Sequence, residues 1–191
     1  IIKSFALSPE KFAASNHADF SCMDCHSEDY SIFPHDPELK EDAPYCLDCH
    51  ENDEDPQLIQ FESIEEAFEE SVHKKVLGDN FTCYSCHEPH TFKLTARNAE
   101  NITSAIKYDN QVCMDCHFSS EKFDVLTEKT RPDLDSTHAW LPHQELHWKN
   151  VRCIDCHTDP EQPGVSHLIV EKEKAVKNCV ACHSAESQLT Q

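Results

Sequence analysis

The 191-residue chain has little of what usually builds a globular core. Apolar residues make up 38% of it, and it contains only two glycines and two methionines. No run of 18 or more apolar residues occurs, so we expect no transmembrane span. The start, IIKSFALSPEKF, lacks a charged segment followed by an apolar core, so it does not match a signal peptide. Something other than aliphatic side chains is expected to fill the interior.

The chain is also poor in positive charge. It carries 16 Lys and Arg against 36 Asp and Glu, which gives a formal net charge of -20. Nucleic acid, a polyanion, would be repelled rather than gain affinity from counterion release. The same argument opposes binding to an anionic membrane surface. We therefore expect neither as a partner.

Cysteine and histidine, by contrast, are abundant, with 12 and 14 copies. All twelve cysteines fall in C-x-x-C pairs, and each pair is followed at once by histidine. The pairs are Cys22/Cys25, Cys46/Cys49, Cys83/Cys86, Cys113/Cys116, Cys153/Cys156 and Cys179/Cys182. The histidines that follow them are His26, His50, His87, His117, His157 and His183. We number these motifs one to six in chain order.

The trailing histidine decides between the possible uses of these cysteines. With histidine at 14 of 191 positions, six chance hits out of six would have a probability on the order of 10⁻⁷. Zinc sites of four cysteines, a disulfide framework and a redox dithiol all leave the histidine unexplained. C-x-x-C-H is the attachment pattern of haem c, in which the cysteines form thioether bonds and the histidine is the proximal iron ligand. The sequence therefore predicts six haem c groups.

These motifs, running from Cys22 to His183, make the chain resemble the multihaem c-type cytochromes. Successive motifs start 24, 37, 30, 40 and 26 residues apart, with no strict sequence period. The stretch HWKNVRCIDCHTDPEQPGVSHLIVEKEKAVKNCVACHS, with a histidine shortly before each motif, resembles small periplasmic carriers such as pentahaem nitrite-reductase donors and decahaem conduit cytochromes. The resemblance implies haem attachment outside the cytoplasm. A periplasmic or extracellular protein exported before haem attachment is therefore expected, with its signal peptide outside the given chain.

The second axial ligand of each iron is expected to be histidine. Met23 and Met114 lie inside C-x-x-C loops, where the short tether keeps them from an open iron face. Eight histidines lie outside the motifs, enough for six bis-histidine haems of low potential. The expected distal ligands are His17, His73, His90, His147 and His167. Three further histidines compete for the remaining place, namely His143, His138 and His35.

His90 follows His87 by only three residues. This is too close for its imidazole to swing easily to the opposite face of the same porphyrin. We therefore expect His90 to ligate an adjacent haem. The pairing of the other distal histidines with particular haems stays open at the level of sequence.

The pattern predicts a mainly α fold with extensive loop and little or no β structure, in which a few short helices wrap round a stack of six haems. The clearest helix is predicted from Ser63 to Leu77, with Ser63 and Glu66 as a capping box and Gly78 just past its end. Weaker helices are predicted near 97–107, 143–149 and 171–178. The chain is expected to be one domain, 1–191, with possible sub-modules 1–60, 61–130 and 131–191.

The leading functional hypothesis is a non-enzymatic electron carrier or conduit, of the kind used in anaerobic respiration. Haem propionates and ferric irons would bring the charge to about -26, which suits docking to basic surfaces. Donor or acceptor cytochromes, a terminal reductase or extracellular metal acceptors are the expected partners.

Two alternatives remain open. A reductase of nitrite, hydroxylamine or a sulfur oxyanion would need one open iron; no C-x-x-C-K occurs, and the only arginines are Arg97, Arg131 and Arg152. An extracellular filament, or nanowire, would stack subunits head to tail. In that case His17 could ligate a haem of the next subunit.

Overall fold

The computed structural model describes residues 7–34, 36, 38–39, 44–50, 61–94, 99–158, 167–184 and 186. The chain divides into two compact units. The first comprises Ile1–Ser63 and Thr82–Glu100, and the second comprises Ile64–Phe81 and Asn101–Gln191. The first unit therefore contains motifs one to three, and the second contains motifs four to six.

The described helices of the first unit are single turns. They are α1 (Pro9–Phe12), α2 (Cys22–Cys25), α3 (Cys46–His50) and α6 (Cys83–Cys86), with a 3₁₀ turn at Glu28–Ser31. Three of the four helices begin at the first cysteine of a motif. The helix α4 (Phe61–Glu69) starts in this unit and continues into the second.

The second unit holds the longer helices. They are α5 (Val72–Leu77), α7 (Ile102–His117), α8 (Ser120–Leu126), α9 (Leu134–Thr137), α10 (Gln144–Asn150) and α11 (Cys153–His157). Two 3₁₀ turns lie at Gly78–Asn80 and Cys179–Ala181. Within the described ranges, β structure is limited to one isolated antiparallel bridge between Thr158 and Ile169. The predicted mainly α class is confirmed, although the short helices are many rather than few.

The helix predicted from Ser63 to Leu77 is wrong as a single element. It starts earlier, at Phe61, and the chain breaks between α4 and α5 at Ser71. In a continuous helix the amide of Val72 would donate to the carbonyl of Phe68, but Ser71 N donates there and Val72 N donates to Ile169 O at 2.8 Å. Ser71 Oγ then accepts from Lys74 N at 3.2 Å and caps α5. The predicted end at Gly78 is confirmed.

The weaker helix predictions have mixed outcomes. The helix near 143–149 is confirmed as α10, whereas the one near 97–107 begins at Ile102 and continues through motif four. The helix predicted at 171–178 is wrong. The chain makes one turn there, with Lys174 N donating to Glu171 O at 2.9 Å. Val176 N donates to Cys156 O at 2.8 Å, so the backbone bonds to another segment instead of along a helix.

The described residues form a very small apolar core. Its buried hydrophobic members are Phe81, Ala105 and Ile106, all in the second unit. Large apolar side chains such as those of Phe33, Val125 and Ile102 are mostly exposed. Every helix in the described segments is too short or too polar to cross a lipid bilayer. Packing of the described side chains alone thus leaves much apolar surface uncovered.

Candidate functional site

Motifs one, two, three and five share a local structure in which a side chain inside the motif caps its own turn. Asp24 Oδ2 accepts from Ser21 N at 2.7 Å, and Asp48 Oδ2 accepts from Tyr45 N at 2.8 Å. The same bond recurs between Ser85 Oγ and Thr82 N at 3.1 Å, and between Asp155 Oδ2 and Arg152 N at 2.9 Å. In each case the residue before the second cysteine satisfies the amide before the first one, as in a capping box.

Sequence reasoning missed these capping residues, although the sequence carries a signal for them. The residue before the second cysteine is aspartate in four of the six motifs. A recurrent C-x-D-C pattern therefore indicates a one-turn helix that starts at the first cysteine.

The turn also fixes the histidine that follows each pair. His26 N donates to Cys22 O and His87 N to Cys83 O, both at 2.9 Å, and His183 N donates to Cys179 O at 2.8 Å. Both cysteines and the histidine therefore lie on one short turn, the arrangement expected for one haem c. Within the described ranges, no three His, Cys, Asp or Glu side chains converge to hold a bare metal ion.

The predicted thioether cysteines differ in their exposure to solvent. The half-buried ones are Cys46, Cys83, Cys113, Cys116, Cys153 and Cys156. The exposed ones are Cys22, Cys25, Cys49, Cys86, Cys179 and Cys182. Exposure sets these six apart from ordinary cysteines, which are among the most buried residues of folded proteins.

A cysteine that only packs in a core would be covered by other side chains, whereas a thioether anchor must present its sulfur to a porphyrin. Cys49 and Cys182, the second cysteines of motifs two and six, are both accessible in this way. Attachment of haem at all twelve cysteines stays a prediction.

Five motif histidines each face one histidine from outside the motifs. The pairs, with their ring-centre separations, are His26 with His90 at 5.9 Å, His50 with His17 at 6.5 Å, His117 with His73 at 6.0 Å, His157 with His138 at 6.0 Å, and His183 with His147 at 6.1 Å. Each pair lies within one unit. Each motif histidine among them has a different partner.

The separations fit a metal ion between the rings. An imidazole nitrogen lies about 2 Å from the metal it binds and the ring centre about 1 Å further, so imidazoles on opposite sides of one ion have centres about 6 Å apart. Direct stacking is closer: the rings of His50 and Phe61 are 4.0 Å apart and 12° from parallel. Edge-on aromatic contacts also reach 6 Å. These five pairs differ from ordinary edge-on contacts because each one combines a motif histidine with a histidine from outside the motifs.

The remaining predicted ligands have other surroundings. His167 is half-buried in the second unit, and its carbonyl accepts from Ile169 N at 2.8 Å. His143 is exposed and precedes α10 in a left-handed conformation with φ +50°. His35 lies outside the described residues. The imidazole of His87 makes an edge contact with Phe92, with ring centres 5.0 Å apart.

Burial lowers the pKa of several of these imidazoles. It lowers the pKa of His73 to about 4, with further contributions from His117 and His157. The pKa values of His26, His117 and His157 are also lowered, in each case mainly by burial. Neutral imidazole is the form that binds a metal, so a lowered pKa favours the form that can act as a ligand.

The first cysteines of different motifs approach each other in both units. A hydrogen bond with Cys83 lowers the pKa of the Cys46 thiol to about 7. In the second unit, a hydrogen bond between Cys113 and Cys153 raises the pKa of Cys113 and lowers that of Cys153. Motif two therefore lies beside motif three, and motif four lies beside motif five.

Comparison with known families agrees with the chemistry of these residues. Residues 66–133, which hold motifs three and four and make up less than half of the chain, match the family model for cytochrome c7 and related cytochrome c. No curated protein and no solved structure matches the chain. The match supports a small multihaem c-type cytochrome, the class that the motifs predict.

Proposed function

We propose that this small multihaem c-type cytochrome transfers electrons through six low-potential, bis-histidine haem c groups in the periplasm or outside the cell. The five imidazole pairs with ring centres 5.9–6.5 Å apart carry this proposal. Bound haem iron supplies reversible one-electron chemistry between its ferric and ferrous states. The chain's own part is to anchor and ligate the haems and to orient those ligands.

The residues assigned to each haem follow from the motifs and the pairs. The two cysteines of each motif form the thioether bonds, and the histidine after them is the proximal ligand. Distal ligands are His90 for motif one, His17 for motif two, His73 for motif four, His138 for motif five and His147 for motif six. The five pairs assign no distal ligand to motif three.

Aromatic rings beside the ligands hold the imidazoles in position. Phe61 stacks on His50, and Phe81 stacks on His73 with ring centres 5.2 Å apart. Tyr30 lies 4.6 Å from His26, centre to centre. Such neighbours restrict rotation of the imidazole and so reduce the rearrangement that accompanies electron transfer. They also exclude water from the ligand, which tunes the potential.

The assignment also explains how so polar a chain folds. Six porphyrins supply apolar mass that the three buried hydrophobic side chains of the described part do not. The strongly negative chain favours partners with basic surfaces, and such association weakens as salt concentration rises. We propose donor and acceptor redox proteins as these partners.

Haem content and spin state test the proposal together. Mass spectrometry of the holoprotein is expected to give six covalently bound haems, and electron paramagnetic resonance of the ferric form is expected to show low-spin iron only. A potentiometric titration should then show reversible reduction at low potentials. Fewer than six haems would contradict the proposed count. A high-spin iron that binds nitrite would instead support a reductase.

The filament alternative has its own test at His17. Its imidazole lies opposite His50 of the same chain, so it is engaged without a second subunit. Replacing it in His17→Ala should leave the light-scattering mass unchanged while one iron loses a ligand and turns high-spin. Dissociation of a larger assembly in this variant would favour the filament.

A further inference from the structure

The short helix α10 connects all three motifs of the second unit. His147 on this helix lies opposite His183 of motif six, with ring centres 6.1 Å apart. Its neighbour Trp148 makes edge contacts in two other directions: with Phe118, the residue after motif four, at 6.2 Å and with His138 at 6.3 Å. His138 is in turn paired with His157 of motif five.

A buried asparagine joins motif four to motif five. Asn110 lies one turn before Cys113 on α7 and is 6% exposed. Its Nδ2 donates to Trp148 O at 3.1 Å and Val151 O at 3.0 Å, and its Oδ1 accepts from Cys153 N at 2.8 Å. The ion pair of Arg152 with Asp109, at 3.8 Å, ties the same two segments together. The hydrogen-bonded Cys113 and Cys153 lie side by side as a result.

Motif five is joined to motif six by different groups. Val176, three residues before motif six, donates its amide proton to Cys156 O at 2.8 Å. The segment just before motif five also supplies His147 to motif six. Motif five therefore has direct links to both of the other motifs in its unit.

We propose that the haem of motif five is the middle member of a triad, adjacent to the haems of motifs four and six, which are not adjacent to each other. This rests on the proposed function, because it assumes that each motif carries a haem. Electrons that pass between motif four and motif six then go through the central haem. Helix α10 is the scaffold that sets this order.

Nuclear Overhauser spectra of the fully reduced holoprotein test the order directly, because they report which porphyrin substituents are close in space. Resonances can be assigned to individual haems with the distal-ligand variants His73→Met, His138→Met and His147→Met, each of which shifts the signals of its own haem most. Cross-peaks are expected between haems four and five and between haems five and six.

The same variants give a second readout in redox titrations. A methionine ligand raises the potential of its haem, and neighbouring haems respond through their electrostatic interaction with it. His138→Met is expected to shift the titrations of two other haems in the unit. His147→Met is the matched control. It should shift the titration of one other haem, that of motif five.

Different outcomes of these experiments would overturn the triad order and the proposed function. Six low-spin haems with a cross-peak between haems four and six, or without one of the two expected cross-peaks, would overturn the triad order alone. A holoprotein that lacks haem at motifs four to six would overturn both the proposed function and the order.

Discussion

The imidazole planes of His26 and His90 lie 14° from parallel, with ring centres 5.9 Å apart. His26 belongs to motif one, whereas His90 follows motif three. Glu88 Oε1 accepts a hydrogen bond from His90 Nδ1 at 2.7 Å, which leaves Nε2 directed elsewhere and fixes the ring. Under the proposed pairing, His90 is the distal ligand of the haem attached at motif one.

Replacing His90 by methionine should therefore act on the haem of motif one and leave motif three intact. The expected result of His90→Met is an unchanged haem count and one potential raised by ~0.1 V or more, within the span of about 0.8 V that axial ligands cover. Redox titration followed in the Soret region measures it. Thr130→Met is the control, since Thr130 is exposed and is neither an anchor nor a candidate ligand of any haem, and its potentials should match those of the unmodified protein. A changed potential at motif three in place of motif one would contradict the pairing.

Asn110→Ala is expected to weaken the second unit. The substitution removes two donors and one acceptor, and leaves Trp148 O, Val151 O and Cys153 N without that partner. Buried groups that lose their partners should lower the free energy of unfolding by about 2–4 kcal/mol. Denaturant unfolding followed by circular dichroism measures the loss. The control Asn150→Ala removes one bond, from Nδ2 to Leu146 O on an exposed helix face, and should cost less than about 1 kcal/mol. Equal losses in both variants would refute the bridging role of Asn110.

Gly78→Ala tests a backbone conformation at the end of α5. Gly78 has φ +61° and ψ -142°, a region that residues with a Cβ adopt at a cost of about 1–3 kcal/mol. No atom lies within 4 Å of a Cβ built there, so the cost should come from the backbone alone. Thermal unfolding should show this loss. In the adjacent control Asp79→Ala, which removes an exposed 3.6 Å ion pair with Lys74, the change should stay within about 0.5 kcal/mol. An unchanged midpoint in Gly78→Ala would mean that the turn relaxes.

Removal of haem should unfold the chain. In the described part, only three hydrophobic side chains are buried, too few to offset the loss of conformational entropy on folding. The chain expressed without haem attachment is expected to show a weak helical signal by circular dichroism and no cooperative thermal transition. The haem-loaded protein at the same concentration is the control. A native-like helical spectrum without haem would show that the polypeptide folds on its own.

Local features of the site could be predicted from the sequence, and long-range ones could not. The C-x-x-C-H turn is set by a few neighbouring residues, so its cysteines and histidine can be assigned from spacing. The break at Ser71 and the missing helix at 171–178 depend on bonds to Ile169 and Cys156, which no local pattern reveals. From the sequence, His138 is one of three competitors for the last ligand place. Its position opposite His157 results from packing against Trp148 on another helix.

The interleaving of the two units bears on the order of maturation. The chain leaves the first unit at Ser63 and returns to it at Thr82. Under the proposed pairing, the haem attached at motif one receives its second axial ligand from His90, far downstream. If the chain is exported from its N-terminus, that iron would have one protein ligand until His90, just after motif three, has crossed the membrane. Completion of the haem site at motif one would then depend on translocation of about half of these 191 residues.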